Sequence, residues 1–216
     1  MDRQILFLLN GCDNMFMDHI MISLSSTATW TLMLLVTIYI IAKDRQISQS
    51  LPMLFGIAIC ILLADQISST LLKPYFHRLR PGLEPEIMYS LRVAAGRGGG
   101  YSFPSSHATN VFAIATYLSL VFRHRLTAIS LYVWAILVGI SRIYLAMHYP
   151  SDVLCGAVLG VVIGMTVYYV GKYILKRYNH VSRKYYSSAF TKSGFATTDM
   201  YLLLATMSLT LLWIII

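Results

Sequence analysis

LTAISLYVWAILVGISRIYLAM occupies residues 126–147, and DVLCGAVLGVVIGMTVYYVGKYIL occupies residues 152–175, with only HYPS between them. Each run is long enough to cross a hydrocarbon core of about 30 Å as a helix. Two sections, Leu126–Leu137 and Val153–Tyr169, carry almost none of the polar residues that a helix of a soluble protein shows at a period of 3.6. The stretch therefore predicts two membrane-spanning helices joined by a short polar connection.

The composition extends this prediction to the whole chain. Hydrophobic residues make up 57% of the 216 residues and charged residues only 12%, whereas soluble domains carry roughly 25% charged residues. We expect an all-α fold, a six-transmembrane-helix bundle that forms a single integral-membrane domain over residues 1–216. The predicted spans are 22–42, 52–72, 105–122, 126–147, 152–175 and 200–216.

Residues 1–21 differ from the spans because apolar and polar side chains are interleaved. The apolar run is too brief for a secretory signal, and no cleavage site of small residues follows it. We expect an N-terminal interfacial helix that lies in the plane of the membrane surface.

The distribution of charge predicts the orientation of the bundle. One set of connections is rich in cations, and cytoplasmic loops carry such an excess of Lys and Arg. These cations are Lys43, Arg45, Arg123, Arg125, Lys172, Lys176, Arg177, Arg183, Lys184 and Lys192. The other set mixes cations with acids and is expected to face the periplasm of a bacterial inner membrane. The net charge of +8 then reflects topology and anionic lipid rather than nucleic acid.

Three polar clusters lie at the ends of spans on the predicted outer side. The first begins with Lys73, which directly follows the second span, and continues with Arg80 and Pro81. Lys73 offers a point charge, and Arg80 offers a planar fork that suits two phosphate oxygens. Taken alone, these cations are better explained as side chains that reach from a span to the lipid headgroups.

The second cluster is Pro104, Ser105, Ser106 and His107. Proline suits the first turn of a helix, so the two serines and His107 are expected in the opening turn, where free amides attract an anion. For the two serines alone, ordinary helix capping is the simpler explanation.

The third cluster surrounds the connection between the fourth and fifth spans, with Ser141, Arg142, His148 and Asp152. An unpaired guanidinium in a span is costly and usually functional. Asp152 follows His148 by four residues, so its carboxylate is expected to accept the imidazole Nδ1–H and leave Nε2 free. A lone interfacial histidine is more often a simple polar-rim residue, but Arg142 and Asp152 flank this one at useful spacing.

Together the clusters supply two imidazoles, three fixed cations and a carboxylate. These groups can hold a phosphate, attack its phosphorus and protonate the leaving group. A bound metal is not expected, because Lys73, Arg80 and Arg142 would repel a cation. No cofactor is expected, and the three cysteines form no disulfide or metal pattern.

The second span contains two polar residues, Asp65 and Gln66. Ionisable groups inside a span are candidates for function. Asp65 could pair with a basic group of the site or line a passage, and a buried hydrogen bond between helices explains it equally well.

The pattern Lys73-x6-Arg80-Pro81, Pro104-Ser105-Ser106-His107 and Ser141-Arg142-x5-His148-x3-Asp152 resembles the three signature motifs of the type 2 phosphatidic acid phosphatase superfamily. That superfamily includes bacterial polyprenyl-diphosphate and lipid A phosphatases. One position departs from the motifs, since Ser106 stands where the family usually has glycine.

The resemblance implies a role for each matching residue. His148 would be the nucleophile that forms a phosphohistidine, Asp152 would orient it, and His107 would protonate the leaving oxygen. The phosphate would be bound by Lys73, Arg80, Ser105, Ser106 and Arg142.

The sequence therefore predicts a metal-independent phosphatase of a membrane lipid. Undecaprenyl diphosphate and lipid A are the favoured substrates, on resemblance to compact bacterial members, and a membrane phospholipid also fits. Two alternatives stay open: a phosphotransferase that uses the same phosphohistidine, and a lipid transporter that uses Arg142 and Asp65 along a path. A haloperoxidase is disfavoured by the six spans.

Overall fold

The computed structural model describes residues 1–43, 45–174 and 190–216. Their regular elements are helices, which confirms the all-α prediction, and one isolated β-bridge joins Phe190 to Ala196. The α-helices are α1 (Asp2–Asn10), α2 (Met15–Ser25), α3 (Thr31–Ala42), α4 (Ile47–Asp65), α5 (Lys73–Phe76), α6 (Ser106–Phe122), α7 (Arg125–Tyr144), α8 (Pro150–Ile174) and α9 (Thr197–Ile215). A π-helix over Gln66–Leu72 joins α4 to α5, and short 3₁₀ turns cover Ala28–Trp30 and Pro81–Leu83.

Within these described ranges, four helical segments are long and apolar enough to cross a membrane. They are Ile47–Leu83, Arg125–Tyr144, Pro150–Ile174 and Thr197–Ile215, and a fifth is added if the bent pair α2 and α3 counts as one span. Helix α6 is apolar but has only 17 residues. The chain is therefore a multi-pass membrane protein with four or five candidate spans, and the predicted count of six is not confirmed.

The first predicted span, 22–42, is broken rather than continuous. Helices α2 and α3 are bent by 66° relative to one another. The break follows Ser25, where Ser26 adopts an extended backbone. Hydroxyl-bearing residues favour such breaks because their side chains compete for backbone hydrogen bonds. The indole N–H of Trp30 donates to the carbonyl of Leu24 at 3.0 Å, which satisfies one group that the break leaves open.

The second predicted span begins five residues earlier than expected, at Ile47, and contains Pro52 within its helix. At its other end the backbone changes to a π-helix before Lys73. Pro74 lacks an amide hydrogen and cannot continue the regular ladder. Single π turns of this kind occur frequently at functional sites.

Helices α6 and α8 pack with their backbones in close contact. A Cβ atom at Gly156 would lie 2.6 Å from the carbonyl oxygen of Ser105, and one at Gly160 would lie 2.4 Å from that of Thr109. At Gly164 the corresponding distance, to the carbonyl of Ala113, is 2.6 Å. The contact advances by four residues on both helices, so the two helices run parallel and their first turns lie side by side.

The N-terminal segment packs against the end of the bundle where α8 begins. Leu6 of α1 is fully buried in a cluster with Ile143, Tyr149 and Val153. The side-chain amide of Asn10 donates to the carbonyl of Tyr144 at 2.7 Å. These contacts fix α1 on the protein, while its place at a membrane interface stays a prediction.

Several predicted cytoplasmic cations lie at the opposite end. Lys43 pairs with Asp199 at 2.5 Å, and the guanidinium of Arg45 lies 4.0 Å from the ring centre of Phe195. Leu175, Lys176, Arg177, His180, Arg183 and Lys184 lie outside the described residues.

We expect Gly160→Ala to lower the free energy of unfolding by about 1–3 kcal/mol, because the added methyl group must separate α6 from α8. Thermal unfolding in detergent measures the change. Gly171→Ala is the matched control on the same helix, since nothing lies within 4 Å of its Cβ position. Equal melting temperatures for the two variants would contradict the close contact.

Candidate active site

The first turn of α6 is tied to the first turn of α8. Ser105 caps α6, and its hydroxyl oxygen accepts a hydrogen bond from the amide of Ala108 at 3.4 Å. The amide of Ser105 donates to the carbonyl of Asp152 at 3.0 Å. The helix begins at Ser106, so Pro104 lies before the cap, joined to Phe103 by a cis peptide bond, and not in the first turn as expected.

A tight turn after α7 places His148 near the first turns of α6 and α8. Ala146 adopts a left-handed backbone, with φ of 52°. The amides of Met147 and His148 both donate to the carbonyl of Arg142, at 3.0 and 3.3 Å. His148 is only 1% exposed. The turn ends the predicted fourth span at Tyr144, three residues early, and holds His148 beside the end of α7.

His148 and Asp152 are neighbours, but they do not form the direct hydrogen bond that the sequence predicts. The distance from Nδ1 of His148 to Oδ2 of Asp152 is 3.8 Å, which is too long for a hydrogen bond. The hydroxyl of Ser102 lies between them, 3.4 Å from Nδ1 and donating to the same carboxylate oxygen. No spacing pattern in the sequence points to Ser102, because it belongs to an irregular loop.

Arg78 is a second residue that the sequence analysis did not assign to the site. Its Nη1 donates to Oδ1 of Asp152 at 2.7 Å, and its Nη2 pairs with Asp2 at 3.0 Å. Asp2 also accepts from the amide of Ser151 at 3.1 Å. Burial alone would raise the pKa of Asp2, but hydrogen bonds from Ser151 and Arg78 lower it. The N-terminal helix thus helps to hold the guanidinium that supports Asp152.

Three cations of the predicted site lack a carboxylate partner. Among the described residues, Lys73, Arg80 and Arg142 form no ion pair within 4 Å. The Nε atoms of Arg80 and Arg142 are buried without any hydrogen-bond partner. Arg142 is held by a hydrogen bond to the hydroxyl of Ser25 at the break after α2. Both Nε–H groups are therefore available to donate to an anionic acceptor.

The second histidine of the predicted site, His107, lies near the same cations. His107 is close enough to His148, Lys73, Arg80 and Arg142 for their charges to act on it. The structure therefore brings the three clusters together at one end of the bundle. Ser106, the departure from the family motif, has its hydroxyl 2.9 Å from that of Ser69 on the π-helix.

His148 lies outside the membrane-spanning segments and has a perturbed pKa. Burial lowers the pKa of His148 to about 4, with the charges of Arg80 and Arg142 adding to the shift and Asp152 opposing it. The imidazole is therefore neutral at neutral pH and keeps one nitrogen lone pair.

Within the described ranges, no group of three His, Cys, Asp or Glu side chains is arranged to hold a metal ion.

The sequence profile of the PAP2 superfamily matches residues 53–176. The chain belongs to this superfamily. The resemblance seen in the motifs is thereby confirmed, and so is the expected enzyme class, a hydrolase of lipid phosphoesters.

Known members of the superfamily resemble the chain over most of its length. The chain is 35% identical over 179 residues to a lipid A 4'-phosphatase of Bacteroides thetaiotaomicron, a match that covers 82% of this chain and 79% of that protein. It is 29% identical over 178 residues to a lipid A 4'-phosphatase of Porphyromonas gingivalis, covering 82% and 75%. The crystal structure of a PAP2-type phosphatidylglycerolphosphate phosphatase from Bacillus subtilis superposes with a TM-score of 0.58 at 22% identity, covering 84% of this chain and 87% of that one. This last likeness supports the fold alone.

We expect Arg78→Gln to lower kcat by on the order of tenfold to hundredfold, because Asp152 loses a charged hydrogen bond. Phosphate release by purified protein measures kcat, and a melting curve checks that the fold is kept. The control is Arg3→Gln, because Arg3 pairs with Glu86 at 2.7 Å on the exposed surface. This control is expected to keep kcat within about twofold. Equal losses in both variants would contradict a role for Arg78 in supporting Asp152.

Proposed function

We propose that this chain is a lipid phosphatase that works through a phosphohistidine on His148. One observation carries the proposal: three cations without carboxylate partners lie near His107, two of them also near His148, and those two have buried, unsatisfied Nε atoms. A tetrahedral phosphate supplies the acceptors that these donors lack. Ser105, Ser106 and the open amides at the start of α6 would add further donors to the phosphate.

In the first step, Nε2 of His148 attacks phosphorus and the bond between phosphorus and the lipid oxygen breaks. His107 donates a proton to that oxygen, so the lipid leaves as an alcohol or a monophosphate. Lys73, Arg80 and Arg142 stabilise the charge that develops on the phosphoryl oxygens. The neutral state of His148 supports this role, since only a neutral imidazole has a free lone pair.

Ser102 and Asp152 set the orientation of the nucleophile. Because the hydroxyl of Ser102 donates to Asp152, its lone pairs are available to accept from Nδ1–H of His148. That proton position leaves Nε2 as the attacking nitrogen and stabilises the positive charge that forms on the ring.

In the second step, water attacks the phosphohistidine. His107 takes a proton from the water, the bond between nitrogen and phosphorus breaks, and phosphate leaves. No step requires a metal or another cofactor, because the three cations carry out the electrostatic work.

The proposal includes a membrane arrangement of six spans, in which α2 with α3 forms the first and the 17-residue α6 forms the third. The site then faces the periplasm of a bacterial inner membrane, because Lys43, Arg45, Arg123, Arg125, Lys172 and Lys192 lie at the other end. Cys12 is exposed at the site end. A membrane-impermeant maleimide on intact cells tests this orientation, and failure to label Cys12 there would overturn it.

Lipid A is the favoured substrate. Two relatives that each match 82% of this chain are both named as lipid A 4'-phosphatases. The predicted alternatives, undecaprenyl diphosphate and a membrane phospholipid, present the same phosphate chemistry at the same bilayer surface.

Replacement of the nucleophile tests the proposal. We expect His148→Asn to lower phosphate release from lipid A by at least about 10³-fold, because the step loses its nucleophile. Wild-type protein that is quenched in alkaline denaturant should carry a base-stable, acid-labile phosphoryl group on the peptide that contains residue 148. The matched control is His124→Asn at the opposite end, where His124 caps α7 and asparagine is also a good cap.

The reaction is run with EDTA present, and inorganic phosphate is compared with the phosphate lost from the lipid. Full activity in EDTA and a one-to-one balance are expected. Normal turnover by His148→Asn would refute the nucleophile, and loss of wild-type activity in EDTA would refute a metal-free reaction. Lipid phosphate that disappears without inorganic phosphate would identify phosphotransfer instead.

A further inference from the structure

A stripe of polar side chains leads from the phosphate site along the helix that carries Lys73. We call Asp65, Gln66, Ser69 and Thr70 the polar stripe. The hydroxyl of Ser69 donates to Asp65 at 3.0 Å, and that of Thr70 donates to Gln66 at 3.3 Å. Asp65, Gln66 and Thr70 are exposed on the surface of the protein.

The depth of the stripe makes its exposure costly. Asp65 precedes Lys73 by eight residues, which is about two helical turns. In a segment that crosses the membrane, such a carboxylate and amide face a medium without hydrogen-bond partners. Among the described residues, the carboxylate of Asp65 accepts one hydrogen bond, and the side-chain NH₂ of Gln66 donates none. Both groups therefore keep capacity for a further polar partner.

The stripe is connected to the catalytic end through Ser106. The hydroxyl of Ser69 lies 2.9 Å from that of Ser106, next to His107. A glycine at position 106 would have no hydroxyl for this contact. The residue that departs from the family motif thus joins the phosphate site to the stripe.

An apolar cavity of about 450 Å³ follows the stripe toward the opposite end of the bundle. On the α4 side it is lined by Pro52, Gly56, Ile59 and Leu63, and Leu63 precedes Gln66 by one turn. The order along this helix is therefore the proposed phosphate site, then hydrogen-bonding groups, then a cavity lined mainly by apolar side chains.

We propose that the polar stripe binds the hydroxyl and amide groups that lie between the phosphate and the hydrocarbon of an acylated, phosphorylated sugar, with one acyl chain in the cavity. A polyprenyl diphosphate carries no such groups between its phosphates and its chain, so the stripe favours binding of the sugar lipid over binding of the polyprenyl lipid. This inference rests on the proposed function and names the substrate class of that same site.

The test compares two substrates on purified full-length protein in nanodiscs. One is an acylated glucosamine disaccharide phosphate of the lipid A type, and the other is undecaprenyl diphosphate. We expect Gln66→Leu combined with Thr70→Val to lower kcat/KM for the sugar lipid by on the order of tenfold, the loss that one or two hydrogen bonds produce. For undecaprenyl diphosphate, kcat/KM should stay within about twofold, because that lipid makes no polar contact there.

Two further variants sharpen the comparison. Asp65→Asn keeps the size of the side chain and is expected to lower kcat/KM more for the sugar lipid than for undecaprenyl diphosphate, since the charge of Asp65 also acts on Lys73. Gln49→Leu is the matched control, since Gln49 is exposed at the far end of the same helix; it should alter neither substrate. The apolar replacements at residues 49, 66 and 70 suit a membrane helix, and a melting curve checks that each variant keeps its fold.

The outcomes separate this inference from the proposed function. Equal losses for both substrates, no loss for either, or a wild-type preference for undecaprenyl diphosphate would overturn the role of the stripe while the phosphatase stands. Failure of the wild-type protein to release phosphate from any lipid would overturn the proposed function as well.

Discussion

Helices α6 and α8 approach so closely that a methyl group at Gly156, Gly160 or Gly164 would meet a backbone oxygen of α6 at 2.6 Å or less. Because the contact repeats every four residues on both helices, it fixes their register as well as their separation. The register sets the start of α6 level with the start of α8, where the amide of Ser105 bonds the carbonyl of Asp152. The two histidines are thereby held on neighbouring rigid helix ends.

The charged side chains at these helix ends differ in whether they have partners. The carboxylate of Asp152 is fully buried and satisfied by Arg78, Ser102 and the amide of Tyr149 at 2.8 Å. Among the described residues, Lys73, Arg80 and Arg142 have no such carboxylate partner. An enzyme that binds an anion benefits from this arrangement, since donors that are already satisfied would have to be released before each substrate binds. The price is two buried Nε atoms that lack hydrogen-bond partners.

The chemistry and the approximate helices could be predicted from sequence because they are local properties. Apolar length predicted the helices around α7 and α8, and polar residues at their ends predicted the positions of Arg142, His148 and Asp152. Ser102 and Arg78 could not be predicted in the same way. Each contacts Asp152 across 50 or more residues of chain, and such a contact leaves no periodic signal.

Breaks in the helices were also missed, for a different reason. The bend after Ser25 and the π-helix before Lys73 both lie inside runs that remain apolar. Hydropathy records that such a run is buried in lipid, but it does not record where the backbone ladder changes. Both irregular points serve the site: one supplies the hydroxyl that holds Arg142, and the other precedes Lys73.

Convergence of His107 and His148 on a single phosphorus atom is tested most directly by a structure of the protein bound to vanadate, a mimic of the transferring phosphoryl group. We expect vanadium bonded to Nε2 of His148, with its oxygens contacting Lys73, Arg80 and Arg142 and with His107 on the opposite side. Vanadate bound elsewhere, or the two imidazoles too far apart to contact the same vanadate, would contradict the shared site.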